Sequence, residues 1–261
     1  MISTSTGLHH VEYVMGMAVS IDSRDDVVPT ALQDVITWLH HVDATFSTYK
    51  MDSSITRYAL GELRADELST DVTEVLALCE NLREETGGAF NCSVVPAPNG
   101  TNFDPSGLVK GWSIERAAQR LEAHGLRNFC INGGGDIAVR GESSPGQPWR
   151  IGIRHPFEDQ CSAAVFDLSG AIAIATSATY ERGAHIIDPC SGQPTAELSS
   201  VTIIGEDLTF VDAYATSVFV MGLDGVEWLM DTQPGYDAFV IGHDGLTWET
   251  PGFAARRSTD Q

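Results

Sequence analysis

No two of the five cysteines form a C-x-x-C pair; they stand at positions 79, 92, 130, 161 and 190. An odd, scattered set excludes a disulfide framework or a zinc site as the organising principle and suits reduced, buried thiols. No run of 18 apolar residues exists, so nothing reads as a membrane-spanning helix. Met1 to Met17 lacks a basic stretch followed by an apolar one, so no signal peptide is expected. With no lipid-anchor cysteine either, the expected location is cytoplasmic. Basic charge is scarce: 15 Lys and Arg stand against 36 Asp and Glu, a formal net charge of −21. Such a surface repels nucleic acid and anionic lipid, so no nucleic-acid partner is expected. Low-complexity runs, a G-x-G-x-x-G fingerprint and a Walker A loop are also absent, which argues against a Rossmann or P-loop nucleotide site. What is there is a chain of 261 residues, 43% hydrophobic, enough for a substantial core.

Hydrophobic periodicity predicts mixed secondary structure. Val11 to Ile21 alternates loosely, as one strand. Pro29 opens a helix whose apolar face is Leu32, Val35, Ile36, Leu39, Val42 and Phe46. Asp71 to Glu85 reads as a second helix ended by Gly87 and Gly88, and Ser113 to His124 as a third closed by Gly125. Strands are expected at Phe129–Ile131, Trp149–Arg154, Ala163–Leu168, Ala171–Ala175 and Val201–Ile204. Val211 to Met221 follows as a helix. Ala238–Ile241 and Leu246–Glu249 form a hairpin around His243-Asp244-Gly245. The elements keep no regular βαβ beat, so the expected class is α+β: mixed, largely antiparallel sheets packed with helices, in one domain over residues 1–261.

Four segments carry polar chemistry. Asn132-Gly133-Gly134-Gly135-Asp136 reads equally as a tight turn or as a close backbone approach to a ligand. Asp104-Pro105-Ser106-Gly107-Leu108-Val109-Lys110-Gly111 sets a carboxylate, glycines and a lysine before a helix: an anion site, or a capped helix entry. Asp212 and Thr216 are four apart, so on a helix they share a face and both can offer oxygen to a hard cation; alone they read more readily as a cap and a back-bonded hydroxyl. His185, ahead of Ile186-Ile187-Asp188-Pro189, is a base, a phosphate donor or a structural histidine.

Their order and spacing resemble the ApbE-type FAD:protein FMN transferases over nearly the whole chain. The matching pieces are Met15-Gly16-Met17, Phe46 to Lys50 with Ser53 and Ile55, Thr86 to Phe90, Asp104 to Gly111, Asn132 to Asp136, Ala175-Thr176-Ser177, His185 to Pro194, and Val201-Thr202-Ile203 before Asp212 to Thr216. The resemblance implies an ApbE-like, T-fold-related architecture. It implies FAD as substrate, with Met15, Ala89, Phe90, Asn91, Asp104, Lys110 and Ile187 at FAD-contacting positions. It implies Mg²⁺ held by the Asp212 and Thr216 side chains and the Gly107 carbonyl. It implies transfer of FMN from FAD to a Thr or Ser hydroxyl of an acceptor flavoprotein, releasing AMP, with Asp212 at the catalytic centre; the chemistry adds His185 as a catalytic residue, as base or as phosphate ligand. The chain departs from the family pattern in having Asn91 where Asp is usual, Tyr58 where Asn is frequent and Ala215 where some members carry a second Asp. Those departures keep two other activities in view: a Mg²⁺-dependent FAD pyrophosphatase, and a non-catalytic FAD-binding protein.

Overall fold

The computed structural model describes residues 7–158, 161–179, 186–189, 191–195 and 197–258. An eight-stranded sheet runs in the order β1 (Leu8–Val14), β2 (Met17–Ser23), β3 (Phe129–Gly133), β4 (Asp136–Arg140), β7 (Ile172–Ala178), β8 (Leu198–Gly205), β9 (Asp237–Gly242) and β10 (Thr247–Glu249). Every neighbouring pair in it is antiparallel. A separate antiparallel hairpin comprises β5 (Trp149–Arg154) and β6 (Ser162–Leu168). The α+β expectation is met. The helices that matter for the site are α1 (Pro29–Phe46), α3 (Thr70–Glu85), α4 (Ser106–Ala123), α5 (Leu208–Met221) and α6 (Leu223–Thr232); the short α2 (Ser54–Ala59) and α7 (Pro251–Ala254) complete the set used below.

The central strands bury both faces, and their alternation shows how. Ala138, Ala173, Ala175, Val201, Ile203, Ala238 and Val240 belong to the core shared with the helices. Their neighbours Ile137, Val139, Ile174, Ile204, Phe239 and Ile241 belong to a second core, closed by Trp149, Ile153, Phe166 and Leu168 of the β5–β6 hairpin and by Phe253. A period of two thus sends alternate residues toward the helices and toward the hairpin, with the alanines on the helix side. All eight residues of β8 are buried in consequence.

Among the boundaries that differ from the sequence reading, three bear on the site. The first strand is a hairpin, turned at Met15-Gly16, where both residues have positive φ, 54° and 71°. Two left-handed residues fit the twist of a two-residue hairpin loop, but methionine gives no sequence sign of it. The strand predicted at Ala171–Ala175 continues to Ala178. Helix α4 begins at Ser106 rather than Ser113, so the glycine-containing segment is helical. Leu108 and Val109 are buried, and tertiary packing overrides the low helix propensity of two glycines.

Helix α4 is the centre of the helical layer. Trp112 packs edge-on to Trp38 and Phe46 of α1, with ring centroids 5.2 and 5.4 Å apart, and the Trp38 indole N–H donates to the Ser113 carbonyl at 2.9 Å. On its other side α4 crosses α5 at Gly111. A methyl group at position 111 would stand 2.5 Å from the Leu208 carbonyl oxygen and 2.7 Å from the Asp212 Cβ. One turn further on, Glu115 ties three elements: it pairs with Arg140 at the end of β4 and accepts the Leu208 N–H at the start of α5, 3.2 Å away. Burial raises the Glu115 pKa, and Arg140 draws it back. Gly111→Ala is therefore expected to cost about 1–3 kcal/mol through overpacking, read as a lower urea midpoint with an unchanged slope. An unshifted midpoint would show that the helices can part freely at this point.

Candidate active site

The α4–α5 crossing brings together three charged side chains from three elements. Lys110 of α4 reaches across so that its Nζ lies 2.6 Å from Oδ2 of Asp136, the first residue of β4, and 3.7 Å from Oδ1 of Asp212 of α5. The carboxylate side chains are 1% and 5% exposed, the lysine 27%. Asp212 Oδ2 also accepts the Gly111 N–H at 3.0 Å. Burial pushes the Asp136 carboxyl up to about 7; the Asp212 charge adds to that shift, while Lys110 and the Thr176 backbone N–H oppose it. Burial likewise raises Asp212, against the pull of Lys110 and the Gly111 N–H. Two carboxylates in so little water and with one ammonium between them form a site short of positive charge.

Hydroxyl groups of α5, β7 and β8 flank this centre, and the Thr176 backbone N–H bonds Asp136. Thr216, one turn beyond Asp212 on α5, lies 3.3 Å from the Ser177 hydroxyl of β7, and Thr176 pairs across the sheet with Thr202 at 2.9 Å. In an ideal helix the Gly111 N–H would go to the Gly107 carbonyl; here it also donates to Asp212. Among the described residues no three or more His, Cys, Asp or Glu side chains are grouped to hold a metal. The Asp136 and Asp212 carboxylates and the Thr216 hydroxyl offer oxygen only, the donor type a hard divalent cation takes.

The other positions singled out in the sequence surround this centre unevenly. Asp104 Oδ1 accepts the Ser106 N–H at 2.9 Å and so caps the start of α4. The Phe90 ring lies against Gly107, 3.6 Å from where a Cβ would stand; the Phe90 N–H is fixed by the Thr86 hydroxyl at 2.9 Å, with half-buried Ala89 beside it. Met15, in its left-handed turn, sets its sulfur 3.8 Å from the Ser113 hydroxyl on α4. Asn91 goes elsewhere. It lines a cavity of about 170 Å³ with Tyr58, Arg83, Cys92 and Phe103, to which Lys110, Asp136 and Asp212 do not contribute. Its Oδ1 accepts the Ser93 N–H at 2.9 Å. Ile187 sits in a turn, bridged to Pro194. His185 lies outside the described residues, as does Cys190; the four described cysteines, Cys79, Cys92, Cys130 and Cys161, are free.

Asp136 is the member that reading for site residues passed over. It was visible only as the end of a glycine run. Gly134 and Gly135 both have positive φ and close the β3–β4 hairpin, so that Asp136 starts a strand instead of ending a loop. A carboxylate placed there is carried into the interior by the sheet, and an acid at the start of an otherwise apolar strand is the one sequence signal that pointed to it.

Comparison with known proteins adds to this geometry. The profile of the ApbE family matches residues 15–104 and 95–240. A FAD:protein FMN transferase of Vibrio cholerae serotype O1 is 26% identical over 269 residues, covering 82% of this chain and 78% of that protein. One from Rhodobacter capsulatus is 34% identical over 164 residues, covering 59% of this chain and 31% of its own length. The solved flavin transferase ApbE from Vibrio cholerae superposes with a TM-score of 0.82 at 24% identity, over 96% of this chain and 99% of that one. The ApbE protein of Thermotoga maritima gives 0.84 at 21% identity, over 97% and 100%. The structural likenesses establish the fold, the profile match spans the turn of Met15, the α4 segment and the α5 pair alike, and the chain belongs to the ApbE family.

Proposed function

We propose that this protein transfers the FMN half of FAD, through a phosphoester bond, to a Thr or Ser hydroxyl of an acceptor flavoprotein and releases AMP, with Mg²⁺ bound at the α4–α5 crossing. The observation that carries the reading is the buried Asp136–Lys110–Asp212 cluster, in a family whose relatives are named for this transfer. Asp212, Thr216 and the Gly107 carbonyl are the proposed holders of the ion. When bound, Mg²⁺ would offset charge on the phosphoryl oxygens as it builds toward the transition state.

The chain's own residues have distinct tasks. Lys110 offers a positive charge to the pyrophosphate from a side chain partly open to solvent. Phe90, Ala89 and Met15 supply apolar surface around the start of α4 for the flavin, and Asp104 and Ile187 complete the FAD contacts; Asn91 offers an amide from the neighbouring cavity. The acceptor oxygen bonds to the FMN-side phosphorus as the phosphorus–oxygen bond to AMP breaks. The hydroxyl proton departs in the same step, and His185 is its proposed acceptor. AMP leaves with the electron pair of the broken bond.

Mass spectrometry tests the reaction. A flavoprotein domain with an exposed Thr, incubated with this protein, FAD and Mg²⁺, should gain the mass of one FMN less water, with AMP formed in equal amount. Rapid formation of FMN and AMP without any acceptor, and no gain of mass when one is present, would mark a pyrophosphatase instead.

Two substitutions probe the assignment. Asp212→Asn is expected to lower Mg²⁺-dependent AMP release at least a hundredfold, about 2.7 kcal/mol of barrier, in a protein that still melts cooperatively; wild-type turnover by the folded variant would remove Asp212 from the chemistry. Met15 is the one non-glycine residue with positive φ among the described residues, a conformation that costs about 1 kcal/mol. Met15→Gly should relieve that strain and give up a comparable amount in backbone entropy, leaving stability nearly unchanged while flavin affinity, read by fluorescence titration, falls several-fold. Undiminished affinity would mean that Met15 does not touch the flavin.

A further inference from the structure

The chain contains two lysines. Lys50 forms an ion pair with Asp43 on the surface. Lys110 bridges the two most deeply buried carboxylates of the site, and nothing in the transfer reaction requires an ammonium to be placed between them. A lysine whose only role was to bind pyrophosphate would do better directed at solvent, where the substrate arrives. From this we infer that Lys110 is an internal stand-in for the divalent cation: it offsets the charge of Asp136 and Asp212 until the ion binds at Asp212, and it is then displaced outward to meet the phosphates of the substrate. The inference rests on the cation site proposed above and adds a dependence between the two ligands of that site.

Charge counting supports it. Two carboxylates, once both are ionised, leave with one ammonium a buried excess of one negative charge. A divalent cation in place of the ammonium leaves none, and the two together leave an excess of one positive charge. A buried site favours the neutral arrangement, because uncompensated charge away from water is costly. Exposure supports it too. The lysine side chain is 27% exposed and so has a route to solvent, while Asp136 and Asp212, at 1% and 5%, are held in place. Asp212 is fixed by the Gly111 N–H as well, so the mobile partner of the three is the lysine. Its distances are also unequal, 2.6 Å to Asp136 and 3.7 Å to Asp212. The carboxylate proposed as cation ligand is the one it holds less closely. By linkage, an anion that draws Lys110 outward must then favour the cation, and the cation must favour the anion, in equal measure.

The test is cation binding without FAD, with Mn²⁺ as the spectroscopic substitute for Mg²⁺ and electron paramagnetic resonance as readout. Lys110→Met should bind Mn²⁺ at least tenfold more tightly than the native protein, and its thermal midpoint, lowered without metal, should rise further on adding Mn²⁺ than the native midpoint does. Lys110→Gln, which keeps an amide N–H near the carboxylates but no charge, should behave alike and serves if the Met variant folds poorly. Equal or weaker Mn²⁺ binding by the folded variants would overturn the inference and leave the cation site standing. Variants that stay unfolded even with Mn²⁺ would overturn it as well, since the ion would have failed to replace the lysine. Asp212→Asn separates the two levels: if it binds Mn²⁺ as the native protein does, the cation site itself is wrong and the stand-in falls with it.

Discussion

Contact between two helix backbones at Gly111 is the constraint on which the site depends. With no side chain at that position, α5 comes close enough for the Asp212 carboxylate to accept a backbone N–H of α4. The same approach sets Lys110, one residue earlier on α4, beside Asp212, and it lets Glu115 reach the first N–H of α5 while holding Arg140 of β4. Two helices and a strand are thereby fixed to one another by polar bonds inside an apolar layer. Removing one partner of such a buried network leaves the others without compensation, which is why these bonds govern position more than they add net stability.

The protein's overall charge and its local electrostatics act together. A formal charge of −21 works against any anionic substrate at long range. Surface counter-charges do little about this, since exposed pairs such as Arg83 with Glu80 are local and screened. Under the proposed function, binding a pyrophosphate falls to charges at short range, with Lys110 and the proposed divalent ion supplying them.

Much of this was legible in the sequence, and what was not has a common cause. Helix α1 was clear because Pro29 and the three-and-four spacing of its apolar residues are local signals. The antiparallel α+β character followed from the absence of a βαβ rhythm. The start of α4 was not clear, because glycines at 107 and 111 read locally as loop, and only the packing of Leu108, Val109 and Trp112 against other elements makes them helical. Asp136 could not be ranked above a turn residue because its neighbours Lys110 and Asp212 are far off in the chain. Asn91 was grouped with Phe90 by the family resemblance, yet the backbone turns the two side chains to different surroundings, one against Gly107 and the other into the Tyr58 cavity. Resemblance to a family supplied the residue list; it could not supply which members touch.

The two-residue turn at Gly134-Gly135 has a consequence for how this chain can vary. Ile137 pairs with Ile174 and Ala138 with Ala173, so β4 directs alternate residues to the hairpin layer and the helix layer. Asp136 shares the phase of Ala138. Lengthening or shortening the turn by one residue, with the rest of β4 sliding to keep its pairing, would reverse that phase. The carboxylate would then point among Phe166 and Ile174, and an isoleucine would face Lys110. Changes of length that surface loops such as 142–148 can absorb are therefore closed to this turn, and drift in this part of the sequence is confined to substitution.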